Sequence, residues 1–247
     1  MTEQRTQDEP EPRVETPEQG PTRRSFLSRS ATAAAASGIT LATAGTSRGG
    51  NPRQGGGRFN LPNLYPRQNL RNFVEILQDE EDHIVQLTKL ADSPRPMPTF
   101  RNLLAPTPFD FVRMAAMIEN GGTGSYLQGL NAISEGGHHD YFPTAAGITA
   151  VEAQHTGFLN TLLNQPIAPS ALANKAQPGV ATPIPPSDIR AAVGPFIASL
   201  NGGPPFDYNI NQADDANDQA IINFVLVLEF LEVEFYRRNI EKFFRFL

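Results

Sequence analysis

Four stretches of the chain place apolar residues three and four positions apart, which is the spacing of one helix face. They run over residues 66–91, 108–130, 142–164 and 214–244. Midway along each stretch the apolar face is interrupted by acidic or histidine residues, namely Glu80 and His83, Glu119, Glu152 and His155, and Glu229 and Glu232. The pattern predicts an all-α four-helix bundle whose core contains ionisable groups.

These interruptions predict a metal site. Residues three apart share a helix face, so Glu80 and His83 converge on one point, as do Glu152 and His155. An unpaired buried carboxylate is costly, and the four apolar faces carry no lysine or arginine to balance it. Two divalent cations would balance four carboxylates, and the histidines would add nitrogen ligands. A Glu-x-x-His pair from each of two helices and a Glu from each of the other two is the ligand set of di-iron and di-manganese bundles.

A Glu-x-x-His pair is a weak signal by itself. Exposed positions on Glu-rich helices are the alternative interpretation for both pairs named above. A third pair, Glu135 and His138, encloses Gly136 and Gly137 and has no apolar stripe around it. We therefore predict an exposed loop there, which also holds His139.

Three further residues are predicted to lie near the metal site. Glu232 follows Glu229 by three residues, and the sequence leaves two roles open for it, a metal ligand or a group that contacts one. Tyr126 and Tyr236 each follow a candidate ligand, Glu119 and Glu229, by seven residues, which is two turns along the same face. Each tyrosine either donates a hydrogen bond to a carboxylate or fills the core.

Composition and charge exclude several kinds of site and partner. The chain has no cysteine, which excludes disulfides, thiolate ligands and thiol nucleophiles. Its net charge of −6 comes from scattered charges, and no basic stripe is present to neutralise a row of phosphates, so nucleic acid is not an expected partner. No run of about eighteen apolar residues occurs, so no membrane span is predicted in the mature protein.

The beginning of the chain is predicted to be an export signal. Residues 22–27, Thr-Arg-Arg-Ser-Phe-Leu, resemble the twin-arginine signal, and a weakly apolar stretch after them ends in Ala-Thr-Ala at Ala44. We predict a signal peptide over 1–44, a disordered linker over 45–64 and the bundle over 65–247. The protein would then be periplasmic or extracellular. The alternative is an alanine-rich disordered tail with a chance arginine pair.

At its candidate ligands the chain resembles the ferritin-like superfamily, and within it the exported bacterial ferritin-like proteins related to plant desiccation-related proteins. Residues 228–236, Leu-Glu-Phe-Leu-Glu-Val-Glu-Phe-Tyr, are similar to that group's Leu-Glu-x-Leu-Glu-x-x-Phe-Tyr helix, and 118–127 and 151–155 also match in kind. The resemblance covers about 70–244. It implies that Glu229 and Glu119 are terminal ligands and that Glu80 and Glu152 bridge the two metals. His83 and His155 would each provide one metal with a nitrogen ligand.

The order of the helices differs from that family. The Leu-Glu-x-Leu-Glu-x-x-Phe-Tyr helix usually opens the domain, whereas here it closes the chain. Residues 92–107 would span ~50 Å when extended, enough to run along a bundle, and the Pro-rich connection at 165–213 would bring the last helix back. A homo-oligomer in which this helix docks onto a second copy is the alternative.

Two functions follow from the resemblance. The first is a di-iron oxidoreductase that acts on dioxygen or peroxide, either oxidising ferrous iron or reducing peroxide, with manganese as the alternative metal. The second is a stress or desiccation-protection protein whose helical bundle has a structural metal or none. The complete ligand set favours the first.

Overall fold

The computed structural model describes residues 68–133, 141–167 and 179–244. These residues form five α-helices, α1 (Gln68–Leu90), α2 (Pro108–Ala132), α3 (Tyr141–Leu162), α4 (Pro186–Val193) and α5 (Asp215–Phe244). A 3₁₀ turn spans Gly194–Phe196, and two short strands, β1 (Thr99–Phe100) and β2 (Ile197–Ser199), pair antiparallel. The predicted signal peptide and linker lie outside the described residues, as does the segment with Glu135, His138 and His139 for which a loop was predicted.

The four long helices confirm the predicted all-α four-helix bundle. α1 packs mainly on α5, and α2 mainly on α3. An aromatic cluster at one end gives the helix directions: Phe73 and Phe111, near the starts of α1 and α2, have ring centroids 4.9 Å apart. Phe73 also contacts Phe158 and Phe244, near the ends of α3 and α5. α1 and α2 therefore run in one direction, and α3 and α5 run in the other.

Because α1 and α2 are parallel, residues 91–107 must return along the bundle between them. α5 holds this crossover at two points. Near the start of α5, the backbone N–H of Arg95 donates to Oδ1 of Asn223 over 2.8 Å. Near its end, Asn239 accepts from the N–H of Ala105 over 2.9 Å and donates to the carbonyl of Leu103 over 2.8 Å. The prediction that this segment spans the bundle is confirmed.

α5 completes the bundle of its own chain, after a second long connection. That connection contains α4 and β2, which the sequence analysis did not predict, because eight residues and three residues are too short to show a periodic pattern. β2 pairs with β1 of the crossover. α4 lies on α2, where Gly124 leaves room for Ile184, whose N–H donates to the Gly124 carbonyl over 2.9 Å.

Side-chain caps explain where two of the helices begin. Thr107 precedes α2, Pro108 fills its first position, and the Thr107 hydroxyl accepts from the N–H of Asp110 over 3.1 Å. Asp214 precedes α5 and accepts from the N–H of Asn217 over 2.9 Å. The predicted starts of both helices therefore agree with the structure.

α5 is the most enclosed helix of the bundle. Residues 221–229 are all buried, because the crossover covers the face that points away from α1 and α2. The ring of Phe206, from the second connection, stacks on Phe224 with centroids 4.3 Å apart. None of the described helices has the length and apolar character needed to cross a membrane.

Candidate metal centre

The predicted ligands meet at the middle of the bundle. The side chains of Glu80, Glu119, Glu152 and Glu229 are all 0% exposed, and His83 and His155 are buried beside them. Their ligand atoms form two groups, in each of which all the atoms lie within 4.8 Å of one another. The first group is Glu80, His83, Glu152 and Glu229, and the second is Glu80, Glu119, Glu152 and His155. Glu80 and Glu152 belong to both groups, which is the arrangement that two bridging carboxylates require.

His83 supplies the nitrogen of the first group. Its Nδ1 lies 2.8 Å from Oε2 of Glu80, 3.2 Å from Oε2 of Glu229 and 3.5 Å from Oε1 of Glu152. Three carboxylates from three helices therefore surround one imidazole nitrogen. A cation at this point would be held from α1, α3 and α5 at once.

His155 supplies the nitrogen of the second group. Its Nδ1 lies 2.9 Å from Oε1 of Glu80 and 3.2 Å from Oε2 of Glu119. Its other nitrogen, Nε2, lies 3.0 Å from Oδ2 of Asp79. A carboxylate on the far nitrogen of a ligating histidine fixes the ring and raises its basicity, so Asp79 orients His155 toward the cluster.

Two tyrosines connect the terminal carboxylates crosswise. The hydroxyl of Tyr126 on α2 donates to Glu229 on α5, and that of Tyr236 on α5 donates to Glu119 on α2. Both tyrosines are buried. Burial and the charges of these carboxylates raise the pKa of each phenol well above its ordinary value, which keeps both hydroxyls protonated as donors. The structure shows both roles that the sequence left open for these tyrosines, because each is buried in the core and donates a hydrogen bond to a carboxylate on the other helix.

The centre has an approximate two-fold pattern that relates α1 to α3 and α2 to α5. Glu80 and His83 correspond to Glu152 and His155, Glu119 to Glu229, and Tyr126 to Tyr236. Two positions break the pattern. Asp79, before Glu80, corresponds to Val151, before Glu152, and Gly122, three residues after Glu119, corresponds to Glu232, three after Glu229. The two halves of the centre are thus alike in their ligands and different in the groups around them.

The buried carboxylates of the cluster need a positive charge or protons to neutralise them. Among the described residues, no lysine or arginine forms an ion pair with these carboxylates. Burial and the charge of Glu119 raise the pKa of Glu80 to about 7, and burial and the charge of Glu80 raise that of Glu152 well above its ordinary value. Burial alone would lower the pKa of His155, but Glu119 and Glu80 raise it to about 12. Without a cation, the cluster must therefore retain protons.

Unpartnered oxygens show that the cluster fits a metal better than protons alone. Apart from the 3.5 Å ion-pair contact between Oε1 and Nδ1 of His83, neither oxygen of Glu152 has a partner in the part of the chain that the structure describes, although both are buried. A buried carboxylate that accepts no hydrogen bond is rare in native proteins. Each of the two overlapping groups of oxygen and imidazole atoms could hold a metal ion.

Comparison with known proteins agrees with the geometry. The sequence matches the ferritin-like domain family over residues 26–165, which is more than half of the chain. The chain belongs to this family. The match includes α1, α2 and α3 of the ferritin-like chain and ends before α5, so Glu229 and Glu232 are placed at the centre by the structure. No curated protein and no solved structure matches the sequence.

Asp79 is the contact that sequence reasoning missed. It lies outside the apolar stripe of α1, with 38% of its side chain exposed, and so resembles any surface carboxylate. The identity of its partner, His155 on α3, depends on helix packing that the sequence does not specify.

Proposed function

We propose that this ferritin-like protein binds a pair of iron ions at the centre formed by α1, α2, α3 and α5, and uses them to oxidise ferrous iron or to reduce peroxide. The observation that supports this is the sharing of Glu80 and Glu152 by two groups of ligand atoms, each with its own histidine. Manganese, which accepts the same ligands, is the alternative metal.

The roles of the residues follow from their positions. Glu80 and Glu152 would bridge the two ions, Glu229 and His83 would hold one, and Glu119 and His155 would hold the other. A pair of iron ions there supplies two electrons, one from each ferrous ion, which is the number that converts one hydrogen peroxide and two protons into two waters. The packed helices keep bulk water from the ligands, whose side chains are at most 8% exposed.

A second function has its own support. The aromatic cluster around Phe73 and the crossover held by Arg95 and Asn239 stabilise the bundle through contacts that involve no metal. A stress-protection or desiccation-related role, in which the bundle itself is the functional object and a metal is structural or absent, would use this stability. The motif at 228–236 supports it through its resemblance to desiccation-related proteins.

Metal analysis separates the two functions. Protein purified after expression in iron-supplemented medium should contain about two irons per chain, and ferrous ion added in air should develop the near-ultraviolet absorption of ferric iron. Glu152→Ala and Glu80→Ala should each lower the iron content sharply, whereas Glu135→Ala should not. Metal-free protein with the same melting temperature in the presence and absence of iron would support the structural role. Equal loss of iron in all three variants would contradict the assignment of the ligands.

We also propose that the protein is exported by the twin-arginine pathway. The support is the order of elements in the sequence, Arg23-Arg24, a weakly apolar stretch and Ala-Thr-Ala at residue 44. Replacing Arg23 and Arg24 together by lysine should retain the precursor in the cytoplasm, because this pathway requires the arginine pair. Unchanged export of the double variant, measured by cell fractionation, would contradict the proposal.

A further inference from the structure

An exposed turn after β2 holds one of the two places in the sequence where glycine follows asparagine. The N–H of Gly203 closes this turn by donating to the carbonyl of Leu200 over 3.1 Å. The two central residues, Asn201 and Gly202, have φ angles of 53° and 77°. Positive φ at both central positions is typical of a type I′ turn, in which asparagine followed by glycine is a preferred pair. The conformation of the backbone therefore explains why these two residues occur here.

The side chain of Asn201 also joins the two long connections of the bundle. Its Nδ2 donates to the carbonyl of Met97 over 2.8 Å and to the hydroxyl of Thr99 over 3.0 Å. Met97 and Thr99 belong to the crossover between α1 and α2, whereas Asn201 belongs to the connection before α5. One side-chain amide therefore extends the contact that β1 and β2 make between these connections.

Asparagine followed by glycine can react by itself in water. The backbone nitrogen of the glycine attacks Cγ of the asparagine and loses its proton, and the side-chain nitrogen leaves as ammonia. The product is a succinimide ring, which water opens at either carbonyl to give aspartate or isoaspartate. Glycine favours the attack because it has no side chain to obstruct it and its backbone is the most adaptable.

The surroundings of Asn201 permit this reaction. Asn201 and Gly202 are both exposed, and apart from its chain neighbours a Cβ built on Gly202 would meet no heavy atom within 4 Å. Within the described residues, the N–H of Gly202 donates no hydrogen bond, so no bond must break before its nitrogen attacks. The hydrogen bonds of Asn201 lie at the surface, where local opening is frequent.

The second asparagine followed by glycine provides a comparison within the same chain. Asn120 and Gly121 lie inside α2, where the N–H of Gly121 belongs to the helix and Nδ2 of Asn120 donates to the carbonyl of Ala116 over 2.6 Å. The helix would have to open before the nitrogen of Gly121 could reach Cγ. A third asparagine, Asn102, is exposed and shares the left-handed conformation of Asn201, with a φ of 58°, but leucine follows it.

We propose that Asn201 is a site of spontaneous deamidation in the folded protein, and that the modification breaks the joint between the two connections. A carboxylate has no proton to donate, so both hydrogen bonds from Nδ2 are lost, and a negative oxygen faces the carbonyl of Met97. Isoaspartate also lengthens the backbone of the turn by one atom. The inference is separate from the proposed metal function, because none of these residues is a candidate ligand.

Peptide mass spectrometry tests the reaction. Full-length protein is kept folded at mildly alkaline pH, and a parallel sample is kept unfolded in guanidinium chloride. In the folded sample Asn201 should convert to the acid, whereas Asn120 and Asn102 should stay intact. In the unfolded sample Asn201 and Asn120 should both convert, since glycine follows each of them. Asn201 that remains intact in the folded protein after the unfolded sample has reacted would overturn the proposal.

The variant Asn201→Asp measures the consequence, because it reproduces the aspartate product. Its melting temperature should lie about 2–4 °C below that of wild type, the effect of losing about one net hydrogen bond in a chain of this size. Asn102→Asp makes the same change at a similar φ and should melt as wild type does, because its side chain makes no hydrogen bond within the described residues. Equal melting temperatures for wild type and Asn201→Asp would refute the claim that this amide joins the two connections.

Discussion

Replacing Gly122 by alanine tests whether the carboxylates stand where the structure places them. The new Cβ would overlap Oε2 of Glu152 and lie 3.0 Å from its Cδ. To restore ordinary contact, the carboxylate of Glu152 must withdraw by about 1 Å. Metal sites tolerate ligand shifts of about 0.2 Å. Gly122→Ala should therefore lower metal affinity by about 100-fold, the scale on which a displacement of about 1 Å acts in a pre-organised site.

Two neighbouring glycines are matched controls for this substitution. At Gly121 the nearest heavy atom to a new Cβ is Cδ1 of Ile189, 3.6 Å away, so Gly121→Ala should stabilise α2 by up to about 1 kcal/mol and leave metal binding unchanged. At Gly124 the new Cβ would overlap the side chain of Ile184 and lie 3.0 Å from its Cβ. Gly124→Ala should cost about 1–3 kcal/mol through overpacking, again without an effect on metal affinity.

The assay pairs urea unfolding of the metal-free protein with calorimetric titration of Co²⁺. We expect Gly122→Ala to lose metal affinity with little loss of stability, because the tip of a glutamate side chain can move without the backbone. Gly124→Ala should instead lose stability and keep its metal affinity. If Gly122→Ala binds Co²⁺ as tightly as Gly121→Ala does, Glu152 does not lie against α2, and its carboxylate does not take part in metal binding.

Three other predictions follow from the contacts described above. Asp79→Asn should weaken Co²⁺ binding by about tenfold through the loss of the carboxylate on His155, whereas Asp82→Asn on the exposed side of α1 should not; calorimetry measures both. Asn239→Ala should lower the free energy of unfolding by about 2–4 kcal/mol, since it leaves the N–H of Ala105 and the carbonyl of Leu103 without their partner. Metal-free protein should lose stability as the pH rises from about 5 to 8. The raised pKa of Glu80, about 7 against 4.5 in the unfolded chain, means that the folded state holds a proton that the unfolded state has released. Protonation of Glu80 therefore contributes about 3 kcal/mol to the free energy of unfolding below pH 4.5, and this contribution is lost above pH 7. Urea unfolding that shows stability rising over this pH range would contradict the prediction.

The residues that meet at the centre could be predicted from the sequence because their signal is local. Glu80 and His83 interrupt an apolar stripe, as do Glu152 and His155, and a helix converts a spacing of three residues into a shared face. Glu119 interrupts the apolar stripe of α2 in the same way, but without a histidine three residues later. Each residue could therefore be assigned to the core from its own helix, and the electrostatic cost of burial then predicted a cation for the group.

Features that depend on packing between helices were harder to predict from the sequence. The tyrosine contacts cross from α2 to α5 and back, so the spacing of seven residues along one helix identified the residues but not the carboxylates that they contact. α5 is buried on nearly every side, because the crossover covers its outer face, and a single apolar stripe therefore describes it poorly. α4 is too short for periodicity to reveal.

The unusual helix order has a physical explanation in the structure. α5 and α1 form one antiparallel pair, and α2 and α3 form the other, joined by the crossover at 91–107. This is the arrangement that a bundle would have if its first helix were moved to the end of the chain. The second connection, which pairs β2 with β1 and places α4 on α2, makes that move compatible with one continuous core.

Anomalous diffraction at the iron absorption edge, from crystals grown with ferrous iron, would locate the metal ions in the bundle. Two peaks are expected, one among His83, Glu229 and the shared carboxylates of Glu80 and Glu152, the other among His155, Glu119 and the same pair. Peaks only on surface carboxylates, or no peak in protein saturated with iron, would show that the buried acids are neutralised by protons and that the centre is not a metal site.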